Sequence, residues 1–161
     1  SAYVKGEEWN PKTLLHILKR CIERNLKPDF VVTPDIVAGG LESLKHSLTW
    51  LEKLPPQFPY YLAVQDGMEI NDIEPHIHRF KGLFVGGSMV WKIKTSSKWS
   101  EYAAMKGIGC HIGRIGTWPR ILWAEKIGAT SIDSTTWIQS RRGERHLHYA
   151  IYQKQLEVKT E

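Results

Sequence analysis

The sequence predicts an α/β fold on a parallel sheet, and three observations predict it. Short runs such as 30–37, 60–67 and 82–88 are apolar on both faces before their polar or glycine exits, as in strands covered on each side. Each run leaves through glycines or polar groups and is followed by a stretch with helical spacing. The pattern returns roughly every 20–30 residues, the size of one β/α unit. About five units are visible, whereas a closed (β/α)8 barrel of the TIM type needs eight. The expected fold is therefore such a barrel with its C-terminal five units present and its N-terminal units missing, or else an open sheet. Residues 1–161 read as one partial barrel domain.

Taken in order, residues 1–10 are polar and patternless. Asn10-Pro11 reads as a helix cap and a first-turn proline. Leu14, Leu15, Ile17, Leu18, Cys21 and Ile22 then form one apolar face. A turn at 25–29 leads to the first strand, which exits through Pro34-Asp35. Gly39-Gly40 opens a loop, and Leu41, Leu44, Leu48 and Leu51 mark the next helix. The second strand exits through Gln65-Asp66-Gly67, and residues 71–80 can form a helix. The third exits through Gly86-Gly87-Ser88, with a helix expected over 99–105. The fourth runs into a tight turn at Gly113-Arg114-Ile115-Gly116. Pro119 sits where a helix can start, Ile121, Leu122, Ala124 and Ile127 keep its period, and Gly128 stops it. Ser131-Ile132-Asp133 is a short β-prone run with a carboxylate at its end. From Gly143 a last amphipathic helix carries Leu147, Ala150, Ile151 and Leu156.

Composition sets the class. With 42% hydrophobic and 24% charged residues over 161 positions, the chain can bury a real core. No apolar run nears the roughly 20 residues that span a bilayer, so no membrane role is expected. The chain starts at Ser1 without methionine or an apolar leader and reads as processed or truncated. Cys21 and Cys110 are few and far apart, which suits a reduced, cytoplasmic protein and builds no cysteine zinc site. The net charge of +5 and pI near 9.2 permit an acidic partner such as nucleic acid. Positive charge gathers late, at Arg114, Arg120, Lys126, Arg141, Arg142, Arg145 and Lys154. A solvated basic face explains it as well. Of the seven tryptophans, Trp118, Trp123 and Trp137 flank the central turn; most should be core, and one or two can stack on bases.

Right-handed crossovers place strand exits on one rim. Asp35, Gln65, Gly86, Gly87, the 111–114 segment and Asp133 should therefore converge. Asp35 and Gln65 offer donors and acceptors to a purine-like edge. Gly86 and Gly87 offer bare backbone to a flat ring. Asp133 can attack an anomeric carbon. The plainer alternatives are a turn at 65–67, a tight loop at 86–87, and Asp133 as a cap for the next helix or turn.

These segments resemble the tRNA-guanine transglycosylases. Val64-Gln65-Asp66-Gly67 is similar to that family's Val-Gln-Gly-Gly strand, and Phe84-Val85-Gly86-Gly87 to its Ile-Gly-Gly-Leu segment. Ile112-Gly113-Arg114-Ile115-Gly116-Thr117 resembles its Met-Gly-Val-Gly-Thr turn. Gly128 to Ser134 resembles the segment that ends in its nucleophile, and Pro34-Asp35 falls where a base-reading Asp stands. The resemblance keeps the family's order over about residues 30–136. It implies that Asp133 attacks C1′ of a guanosine, expels guanine and holds the sugar covalently until a 7-deazaguanine (preQ0, preQ1 or queuine type) enters. It implies that Asp35, Gln65 and Gly87 hold the base edge, with Asp66, Gly86 and Arg114 as further candidate substrate contacts; the late basic cluster offers Arg141, Arg142 and Arg145 as candidate nucleic-acid contacts, and no resident cofactor or metal is expected. DNA or tRNA is the implied substrate. The short strands and unusual tail look closer to divergent, often phage-encoded, DNA-modifying relatives, which would act in the host cytoplasm.

Three departures stand out. The family's Asp-Ser-Gly-Gly-Phe segment is absent, so an upstream segment, another chain or a second copy is expected to complete the enzyme. Asp66 replaces a glycine. His146 and His148 have no cysteines with which to form the family's zinc site. Two other functions fit the same residues: a barrel enzyme binding a small phosphorylated metabolite at 113–117, and a non-catalytic nucleic-acid-binding module.

Overall fold

The computed structural model describes residues 9–139 and 141–158, with side chains up to residue 152. The expectations for residues 1–8, Lys154 and Leu156 lie outside those descriptions. The chain divides into two compact units between Lys81 and Gly82.

The first unit alternates helix and strand. Helix α1, Pro11–Glu23, begins as expected: the Asn10 side chain accepts from Lys12 N at 3.0 Å and Pro11 opens the first turn. Strands β1 (Val31–Val32) and β2 (Tyr60–Val64) run parallel, with Val31 opposite Tyr60. Between them α2, Gly40–Leu51, turns Ser43, Leu44 and Ser47 inward. β1 is much shorter than the apolar run at 30–37. Pro34 has no N–H to continue the ladder, and its carbonyl accepts from Ser47 Oγ at 2.8 Å instead. The expected helix over 71–80 splits into α3, Ile70–Ile73, and a 3-10 turn, Ile77–Arg79. Pro75 lies between them and cannot carry the helical hydrogen bond onward. Leu62, Ala63, Val64, Met68 and Ile73 are almost wholly buried.

The second unit holds three parallel strands in sequence order, β3 (Gly82–Val85), β4 (Gly109–Ile112) and β5 (Ser131–Ile132). Helix α4 connects the first two and spans Met89–Met105, starting ten residues before its expected start at 99. Ser88 caps it by accepting from Trp91 N at 3.3 Å. Its buried face carries Lys92, Ser96, Trp99, Ser100 and Ala103, and the polar members disguise the apolar period in the sequence. Helix α5, Trp118–Lys126, has Pro119 in its first turn and stops before Gly128 at φ +81°. Two elements follow β5: a short α6, Thr136–Gln139, which the sequence did not suggest, and α7, Arg141–Val158. Gly143 explains how they pack. A Cβ there would sit 1.8 Å from the Thr136 carbonyl oxygen, so only glycine lets the two backbones approach.

The molecule is thus α/β with parallel strands, each followed by helix. Among the described residues there are five strands, short of the eight that close a barrel. No described helix is long and apolar enough to cross a membrane.

Candidate active site

In the second unit the register builds a site around Asp133. Phe84, His111 and Ser131 stand opposite one another across β3, β4 and β5. Asp133, two residues beyond Ser131, returns to the same face of its strand. His111 uses both ring nitrogens there. Nε2 lies 3.0 Å from Asp133 Oδ1 and Nδ1 lies 2.8 Å from Ser131 Oγ. A carboxylate only accepts, so Nε2 carries the hydrogen. Nδ1 faces a hydroxyl that can donate or accept, so the contact with Asp133 survives in either charge state of the ring. The imidazole stacks on Phe84, with ring centres 5.0 Å apart, and is 5% exposed. Burial, stacking and two hydrogen bonds leave it one orientation.

The turn after β4 supplies the second hold. Arg114 N donates to Asp133 Oδ1 at 3.1 Å, and Arg114 adopts φ +61°, a left-handed conformation costly for a residue with a side chain. Its guanidinium donates to the Gly87 carbonyl at 3.0 Å. Gly113 and Gly116 are needed for contact: a Cβ on Gly113 would lie 2.7 Å from Phe84 Cζ, and one on Gly116 2.6 Å from Ser134 Oγ. Beneath the turn, Lys92 is wholly buried and donates through Nζ to the Gly113 carbonyl. A buried ammonium needs such partners.

These contacts set the charge of Asp133. The hydrogen bond from His111 holds its carboxyl below the ordinary value of 3.8; partial burial opposes this, while the Arg114 N–H and the attraction of His111 and Lys92 assist. Its side chain remains 49% exposed, and both side-chain hydrogen bonds fall on Oδ1. Oδ2 accepts from none of the described residues. Asp133 does not act as the cap. Thr136 N donates instead to Ser134 Oγ, at 3.1 Å.

In the first unit, Asp35 and Gln65 meet. Gln65 Nε2 donates to Asp35 Oδ2, and Gln65 Oε1 accepts from Ala38 N at 3.2 Å. Gln65 is 1% exposed and Asp35 half-buried, so the amide is locked and the carboxylate oriented by it. Asp66, half-buried, lies in the turn that Met68 N closes on the Gln65 carbonyl. A cavity of about 440 Å³ in this unit is lined by Cys21, Ile22 and residues 25–28 and 57–59, before β1 and β2 rather than at their exits.

Of the residues singled out in the sequence, Asp133, Arg114 and Gly87 are joined by hydrogen bonds, with Gly86 buried beside Gly87. Asp35 and Gln65 are joined likewise in the first unit. Arg141, Arg142 and Arg145 are exposed at the start of α7. The sequence groups His111 with the strand exits but assigns it no role. Its signal is the place opposite Ser131 in register, which parallel pairing of 109–112 with 131–132 supplies. Lys92 left no signal, since a lone lysine in a helix normally faces water. Among the described residues, no three His, Cys, Asp or Glu side chains gather as a metal site would require. No protein-family model, curated protein or solved structure matches the chain.

Proposed function

We propose that the protein exchanges guanine for a 7-deazaguanine in DNA or tRNA, with Asp133 as the nucleophile. The observation that supports this most is the state of Asp133. It is an ionised carboxylate at the C-terminal end of a parallel strand, clamped through one oxygen, with the other open and half the side chain in solvent. A nucleophile needs that combination of fixed direction and an available lone pair. Asp133 Oδ2 forms a bond to C1′ as the C1′–N9 bond breaks, and guanine leaves with the electron pair and takes up a proton. The incoming base then loses its N9 proton as N9 bonds to C1′, and the ester to Asp133 breaks to restore the carboxylate. Two displacements at one carbon retain configuration.

In this reading the Gly86-Gly87 backbone meets the ring of the base, while Asp35 and Gln65, bonded to each other in the first unit, and Asp66 beside them keep the base-reading roles that the resemblance implies. Arg114 ties that backbone to Asp133. The metabolite-binding alternative gains less support, because the amides of Gly113, Arg114 and Ile115 already donate to Val85 O, Asp133 Oδ1 and Asp133 O. They are not presented to a phosphate. The test is exchange: labelled guanine or preQ-type base should enter guanine-containing DNA or tRNA with the wild-type chain and not with Asp133→Asn. Equal incorporation by the variant would exclude this function for Asp133.

A further inference from the structure

A cleft of about 260 Å³ lies in the second unit, lined by Trp118, Arg142, Arg145, His146 and Tyr149. The four residues from α7 fall at i, i+3, i+4 and i+7 and so share one helical face. Trp118 is the first residue of α5 and comes immediately after the turn whose Arg114 N–H holds Asp133. Trp118 is 37% exposed and Tyr149 57%. Both rings stand partly in water in a cleft that they share with two guanidinium groups. Among the described residues no acidic side chain lines the cleft; Glu144, on the opposite face, is paired with His148 at 3.8 Å.

We infer that this cleft binds one unstacked nucleotide of a single-stranded nucleic acid, its base on Trp118 and Tyr149 and its phosphates on Arg142 and Arg145. Aromatic rings accept any base by its face, and arginines track the backbone without reading sequence. The space admits one base and its sugar, not a duplex. The inference rests on the base-exchange reading in one respect: the bound nucleotide would neighbour the one turned out toward Asp133, and holding it offsets the cost of unstacking.

Fluorescence anisotropy with labelled single strands of about 12 nucleotides, one DNA and one RNA, tests it on the full chain. Trp118→Ala and Tyr149→Ala should each weaken binding roughly 5- to 150-fold without changing its salt dependence. Arg142→Ala and Arg145→Ala should each reduce the slope of log affinity against log salt by about 0.7. Trp118→Phe, which keeps a ring, should retain most of the affinity and shows that the alanine effect is not misfolding. The stronger of the two strands identifies the natural polymer. Wild-type affinity in the Trp118→Ala/Tyr149→Ala double variant, no binding by the wild type, or equal displacement by polyglutamate would each overturn the inference. Anisotropy needs no chemistry, so the two readings fail separately. Exchange with ring-independent binding removes the cleft alone; ring-dependent binding without exchange removes the transferase reading alone.

Discussion

His111 fixes the charge and direction of Asp133, so His111→Phe separates its effect from simple packing. Phenylalanine keeps the stack on Phe84 and removes the donor. The folded Asp133 titrates below 3.8, so the stability drawn from its bond to His111 is present above that value and lost as pH falls through the lowered one. The variant should be less stable at pH 7 by about 1 kcal/mol, a modest figure because Asp133 is half-exposed, and the difference should close in denaturant titrations as the pH falls below 3.8. In exchange kinetics the acid limb should move upward and kcat fall by about tenfold, equivalent to about 1.4 kcal/mol, with KM little changed. An unmoved acid limb would deny His111 this role. The two cysteines offer a second residue-scale check. Burial pushes the Cys110 thiol up, whereas Cys21 is only half-buried. A thiol reagent at neutral pH should modify one cysteine in the native chain and two after denaturation; rapid modification of both would mean that β4 is open. The meeting of Asp133, Arg114 and the glycine exits was legible because their types are unusual at strand ends. His111 and Lys92 were not, because their meaning comes from the strand opposite and the turn above.

At the level of elements, breakers and caps were the most readable features. Asn10-Pro11, Pro119 and Gly128 bound their helices where the sequence placed them. What misled was inner faces and prolines inside apolar runs: Pro34 shortened β1, Pro75 split a helix, and the buried serines of α4 hid half its length. The meeting of α6 and α7 gives the element-scale prediction. Gly143→Ala should lower stability by about 1–3 kcal/mol, since its Cβ would collide with the Thr136 backbone rather than a movable side chain. Alanine is the better helix former by about 1 kcal/mol, so a raised melting temperature would show that the contact is not close. Because α7 carries Arg142, Arg145 and Tyr149, the same variant should weaken oligonucleotide binding.

Over the whole molecule, the α/β class and parallel strands came through from the spacing of apolar runs, while eight-fold closure exceeds the five strands described. The net charge of +5 permits a polyanionic partner, which the proposed base exchange requires. The proposed exchange stands or falls on a bond between protein and sugar. The full chain should be mixed separately with guanine-containing single-stranded DNA and with tRNA, quenched in acid, digested with nuclease and weighed intact, then mapped by peptide. A nucleotide-sized mass increase is predicted on the peptide bearing Asp133, and none in Asp133→Asn; a modification that persists in that variant, or no adduct with either polymer, would contradict a nucleophilic Asp133.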